Sequence, residues 1–145
     1  MTGTPKYDLN NVFAKILRGE IPSHTVYEDA QVMAFMDVMP QGPGHTLVVP
    51  KAASRNLLDA DAATLTLVLP VVQKIARAAK VAFLADGISV MQFNEAAGGQ
   101  SVFHLHFHVI PRFEGIKLKP HTGEMEAGGE LAANAAKLKA ALAAQ

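Results

Sequence analysis

His104-Leu105-His106-Phe107-His108-Val109-Ile110 places three of the chain's six histidines at alternate positions. Alternation is the period of an extended strand, whose successive side chains point to opposite faces. The pattern therefore predicts a strand over Phe103 to Ile110, with His104, His106 and His108 in a row over solvent and Leu105, Phe107 and Val109 toward a core. Imidazole titrates near neutrality, so three in a row can supply a nucleophile, an acid and an orienting partner at pH 7. The same pattern also admits a metal site, since catalytic zinc can take three histidines. An incidental solvated strand face and a set of buried structural histidines are further alternatives.

Working outward, Asn10 or Asn11 is a candidate cap for a short helix through Arg18, ended by Gly19. Thr25 to Glu28, Val32 to Met36 and Thr46 to Val49 read as short strands, separated by turn residues including Pro40-Gln41-Gly42-Pro43-Gly44. From Asp61 to about Leu84, apolar residues recur every three or four positions, as a one-sided helix requires. Pro70 lies inside it and predicts a bend or a split, because proline removes a donor and crowds the preceding turn. Ile88 to Asn94 and the histidine stretch supply two more strands. Glu114 to Gly129, rich in Gly and Lys, is expected to be mobile, and it leads into an Ala-rich helix that would dock by Leu131, Leu138 and Leu142. The fold class is α+β: a five-stranded antiparallel sheet with one long and one short helix plus a C-terminal helix.

At 145 residues the chain fits one domain, with a core over about 11–113. Thirteen basic and thirteen acidic residues cancel, so no basic field points to nucleic acid. Cysteine is absent, which excludes disulfides and thiolate chemistry. Met1 to Lys6 has no apolar leader character, and no stretch reads as a membrane span without polar interruption, so a cytoplasmic protein without membrane partners is expected.

The run from Asn94 to Phe113, with Gly99-Gln100-Ser101 before the histidines and Ile110-Pro111-Arg112 after them, resembles the histidine triad (HIT) superfamily of nucleotide hydrolases and transferases. The superfamily's signature is His-φ-His-φ-His-φ-φ, with φ apolar, and every position is filled. Ala34-Phe35-Met36-Asp37, Pro43-Gly44-His45-Thr46 and Phe13-Ala14-Lys15-Ile16 are similar to its first half. The likeness is nearest the Hint branch, with Fhit-like features in the Pro-Gly-His and Ile-Pro-Arg segments.

A phosphorus centre in a nucleotide carries negative charge, so a neutral imidazole attacks it better than a carboxylate, and a covalent phospho-histidine splits one hard step into two. His106, with a neighbour on each side, fits that role best. The resemblance implies the same: His106 attacks the α-phosphorus of a purine nucleotide, with His104 and His108 orienting, contacting phosphate and moving protons. Gly98 to Ser101 can offer backbone N–H groups and a hydroxyl to a phosphate, or form a plain hairpin turn. By resemblance Ser101 is catalytic, the Gly99, Gln100 and Ser101 backbone contacts the α-phosphate, and so does Asn94, although the Asn94 to His104 spacing is one residue shorter than in animal Hint proteins.

Asp37 suits either a turn start or the fork that receives two ribose hydroxyls; the resemblance implies the ribose. It also implies base-pocket walls at Val12, Phe13, Ile16, Phe35 and Val38, and an orienting role behind the triad for His45. His24, His121, Lys117 and Lys119 match no motif and read as surface residues, the two lysines also being candidates for leaving-group contact. The resemblance further implies a homodimer joined edge to edge, hydrolysis of nucleoside phosphoramidates or related nucleotidyl conjugates, and no cofactor or metal. A dinucleoside polyphosphate hydrolase, a nucleotide-binding sensor or scaffold, and a metal-binding module are the alternative functions.

Overall fold

In the computed structural model, which describes residues 6–121 and 125–145, the element order is α1 (Val12–Leu17), β1 (Thr25–Glu28), β2 (Val32–Met36), β3 (Thr46–Pro50), α2 (Ala62–Ala82), β4 (Gly87–Met91), β5 (Phe107–Arg112) and α3 (Gly128–Ala143). The Asn11 side chain caps α1 by accepting the Ala14 N–H at 2.8 Å, satisfying one of the donors a helix start leaves open. Every strand pair is antiparallel, and the sheet order is β1-β2-β3-β5-β4. The α+β expectation holds.

Central strands are buried on both faces, as the burial of every β2 and β3 residue shows. Strand alternation then sorts the side chains. Ala34, Val48, Phe107 and Val109 pack with α2 and α3 through Val68, Val72, Ile75, Leu131 and Leu138. Leu47, Val49, Met33 and Phe35 pack on the opposite face against Phe13 of α1. Leu47 pairs with His108 across β3 and β5, so His108 shares the α1 face, and the helical layer on the other side is left to hold the sheet.

Two expectations are revised. The fifth strand begins at Phe107, not Phe103. Its β3 pairing covers only Phe107 to Val109, and before it the Leu105 N–H turns to the Ser54 carbonyl at 2.8 Å. Pro50, at the end of β3, has no N–H with which to extend the ladder. Next, α2 is one continuous helix through Pro70. Val68, Val71, Val72 and Ile75 are buried on either side of that exposed proline, so tertiary packing holds both halves in one element. The same helix is, by length and composition, apolar enough to cross a membrane, although Gln73, Lys74, Arg77 and Lys80 interrupt it. Its buried face lies on the sheet.

The described parts of the 114–129 segment, for which mobility is expected, make three hydrogen bonds to the body. Lys119 N–H donates to Gln41 O, Glu126 N–H to Val38 O and Glu114 N–H to the Asp86 carboxylate, each at 2.8 Å. The part of that expectation on 122–124, and the leader reading over 1–5, lie outside the described residues. As expected, α3 docks by Leu131 and Leu138, with Leu142 packed alongside.

Candidate active site

Against the α1 face lies a cavity of about 400 Å³ whose walls combine Val12, Phe13, Ile16, Phe35, Val38 and Leu47 with Asp37, Ser101, His106, His108 and His121. All five residues proposed for a base pocket line it, as do Asp37, Ser101 and two of the three motif histidines. The triad is not a row over solvent: His104, His106 and His108 are buried, and His104 is fully enclosed. His104 lies in the bend before β5 and does not line the cavity.

Hydrogen-bond partners fix the tautomers of these rings. A carbonyl can only accept, so His106 Nδ1–H donates to His104 O at 2.7 Å and the lone pair is on Nε2. His104 Nε2–H donates to Pro50 O at 2.8 Å, which leaves Nδ1 to accept the Tyr7 hydroxyl proton. Both nitrogens of His104 are therefore engaged, and its ring has no free group for phosphate contact or proton transfer; it positions His106 through its carbonyl. Gln41 N–H donates to His45 Nδ1 at 3.0 Å, so His45 Nε2 carries the proton it gives to His108 Nδ1 at 2.8 Å. His108 in turn keeps its proton on Nε2. One cavity-lining ring thus offers a lone pair and its neighbour, 5.0 Å away between ring centroids, offers a donor.

Burial keeps these imidazoles neutral. Desolvation lowers His45 and His104 to about 4, and desolvation with neighbouring His106 and His45 lowers His108 to about 3. His106 is also lowered, mainly by burial, against the pull of the His104 carbonyl. A neutral imidazole with an exposed lone pair is what nucleophilic attack requires.

Asp37 is drawn beside His45 by its N–H bond to His45 O at 2.9 Å, and its Oδ1 accepts Met39 N–H at 2.8 Å. The turn reading and the cavity placement are thus both realised. Gly44 precedes His45 at φ +83°, and a Cβ there would stand 2.6 Å from the Phe83 ring, so only glycine permits this approach.

Two predicted contacts are turned inward. The Asn94 carboxamide accepts Leu57 N–H at 2.9 Å and pairs with Gln92, and it does not line the cavity. The Gln100 side chain donates to Arg55 O and Val102 O and accepts from Asn56 and Glu95 N–H, and the Gln100 N–H, the donor expected to meet phosphate, goes to Glu95 O at 3.0 Å. Gly99, at φ +101°, closes the turn before Ser101. That loop is clamped by a bidentate Arg55–Glu95 pair, both bonds 2.9 Å, with Glu95 itself at φ +65°.

Sequence reasoning missed Tyr7, the Arg55–Glu95 clamp and His121. His121, read as a surface residue, lines the cavity and donates from Nε2 to Asp37 Oδ2 at 3.1 Å. Tyr7 and His121 lie 97 and 84 residues from their partners, and no local spacing marks either one.

A paired nucleophile and donor at the end of an apolar cavity define a site for attack on an electrophilic centre. A family model described as the HIT domain matches residues 18–115, and the chain belongs to that family. It is 62% identical to a Hit-like protein of Bartonella henselae involved in cell-cycle regulation, whose crystal structure matches with a TM-score of 0.88 over 94% of this chain and 99% of that one. A hypothetical histidine triad nucleotide-binding protein of Sulfolobus tokodaii is 31% identical, with a TM-score of 0.84 over 91% of each chain. A zinc-bound histidine triad family protein of Mycobacterium smegmatis is 35% identical, with a TM-score of 0.83 over 94% of this chain and 95% of that one.

Among the described residues, Asp37, His45 and His108 bring potential ligand atoms within 4.8 Å of one another. This donor set does not fit a cation. Gln41 N–H already occupies His45 Nδ1, and a metal on Nε2 would move the ring proton to Nδ1, against that N–H.

Proposed function

We propose that the protein is a purine nucleotide hydrolase that cleaves at the α-phosphate of nucleoside phosphoramidates or related nucleotidyl conjugates. The observation that carries this reading is the His106 Nδ1–H bond to the His104 carbonyl, which leaves the Nε2 lone pair on a cavity-lining ring. That lone pair forms an N–P bond as the bond from phosphorus to the leaving group breaks. The departing amine or alcohol takes its proton from a wall donor, His108 Nε2–H or the Ser101 hydroxyl. Water then attacks the same phosphorus and gives its proton back to that wall donor as the N–P bond breaks, releasing the nucleoside monophosphate and returning the lone pair to His106. The Ser101 N–H and hydroxyl hold non-bridging oxygens, since the Gly99 and Gln100 N–H groups donate within their own loop to Ala96 O and Glu95 O; Asp37 receives the ribose hydroxyls, and the apolar walls stack on the purine.

The reaction uses no cofactor, metal or nucleic-acid partner, in keeping with the pinned His45 tautomer and a net charge of zero. A homodimer is part of the same reading. Strand β4 is a sheet edge, and Val81, Leu84 and Val90, on and around the turn that leads into it, are exposed. A cytoplasmic location and the absence of a membrane partner remain expectations of the same kind.

The test is incubation with a fluorogenic adenosine 5′-phosphoramidate in chelator, with His106→Ala alongside. Turnover by the wild type alone is the expected result. Turnover of diadenosine polyphosphates but not phosphoramidate would move the substrate to that class. Nucleotide binding with no turnover of either would make the protein a sensor.

A further inference from the structure

Asp37 poses a problem of supply and demand. It is 4% exposed, and a carboxylate so enclosed costs free energy whenever one of its hydrogen bonds goes unmade. A site that reads a hydroxyl with a buried carboxylate therefore rejects the sugar lacking it, because the carboxylate is left unpaired. Here Met39 N–H already meets Oδ1, His45 Nε2 stands 3.4 Å from Oδ2 but gives its proton to His108 at 2.8 Å, and His121 Nε2–H reaches Oδ2 at 3.1 Å. His121 is on neither the sheet nor α1. It lies on the chain between β5 and α3, fastened to the Asp37–Gly44 loop by Lys119 N–H on Gln41 O and, further along, by Glu126 N–H on Val38 O. Its side chain is 29% exposed, far more than that of Asp37 or the His45 behind it.

We propose that His121 is a specificity-determining residue that supplies Asp37 with a replacement donor, so that the site accepts nucleotides lacking one ribose hydroxyl as well as ribonucleotides. This rests on the assignment of Asp37 to the ribose. When a hydroxyl is present, it and His121 share the two Asp37 oxygens with Met39 N–H. When it is absent, His121 remains and no carboxylate oxygen is stranded. The substrate class widens accordingly to 2′-deoxynucleoside 5′-phosphate conjugates.

The experiment is calorimetric titration of AMP, 2′-deoxy-AMP and 2′,3′-dideoxy-AMP into wild type, His121→Phe, His121→Gln and Asp37→Ala. Wild type should bind AMP and 2′-deoxy-AMP within a few-fold of each other. His121→Phe, which keeps bulk but removes the donor, should widen that ratio roughly tenfold, the loss of one hydrogen bond to a charged group. His121→Gln, which restores an N–H, should return it toward the wild-type value. An unchanged ratio in His121→Phe, or wild-type rejection of 2′-deoxy-AMP by tenfold or more, overturns the proposal while leaving the ribose assignment standing if Asp37→Ala weakens AMP more than 2′,3′-dideoxy-AMP. Equal weakening of those two nucleotides by Asp37→Ala, or no binding of any nucleotide to the wild type, overturns both together.

Discussion

The two faces of the sheet are built from the same strands and do opposite work. On one, Ala34, Val48, Phe107 and Val109 meet α2 and α3 in an apolar layer. On the other, one residue out of register, Leu47, Phe35 and Phe13 share space with His106, His108 and Asp37. The first face can relax only by losing packing. The second holds buried polar groups, each satisfied in a particular direction, and no buried side-chain nitrogen or oxygen among the described residues lacks a partner. Stability and chemistry are thus separable across a single layer of backbone.

Substitutions can break that separation or sharpen it. The largest expected effect is on the polar face. His106→Ala removes the lone pair, so turnover should fall roughly 10⁴-fold or more while nucleotide Kd moves only a few-fold, as steady-state kinetics and calorimetry would show. Equal losses in both would reduce His106 to a ligand contact. On the apolar face, Ile75→Ala opens a cavity beneath the sheet and should cost about 2–5 kcal/mol by chemical denaturation. Its kcat, measured well below the new Tm, should be unchanged; a proportional loss of kcat would mean that the faces are coupled.

Acid should find the polar face first. His45, His104 and His108 have folded values of about 4, 4 and 3, below their ordinary 6.5, so the unfolded chain binds more protons in that window. Stability from these groups is complete above about pH 6.5 and is lost as pH falls toward 4, by roughly 1 kcal/mol per histidine per pH unit. Denaturation midpoints measured from pH 7 to pH 5 should fall, and a flat profile would contradict the buried neutral assignments. The smallest effect is expected from Tyr7→Phe, which strands His104 Nδ1 without touching the cavity. A loss of up to about tenfold in kcat with KM little changed would mark Tyr7 as a positioning residue acting through His104 and its carbonyl.

Period and punctuation made much of this legible. Asn10 or Asn11 before an apolar run marked the start of α1, and the histidine spacing located the site. The resemblance added Asp37, His45 and the pocket walls, all of which lie at or directly behind the cavity. Ring nitrogens were not legible, because a tautomer is set by partners such as Pro50 O and Gln41 N–H that are distant in sequence or silent as backbone. Nor was the placement of His104 before the strand, where β5 pairs with β3 only from Phe107 onward and its ring turns to Pro50 O. The split allowed for at Pro70 does not occur for the converse reason: packing of Val68 and Val72 holds one continuous helix against a local preference. Asn94 carried an amide suited to phosphate, and Gly99 and Gln100 backbone N–H groups, but the local structure consumes them.

The account turns on one atom, His106 Nε2. Rapid acid-free quenching of wild type during turnover of adenosine 5′-phosphoramidate, followed by peptide mass spectrometry, would test it directly. The account predicts an adenylyl group on the peptide that carries His106, in wild type and not in His106→Ala. Turnover without that adduct, or the adduct on His104 or His108 instead, would contradict it.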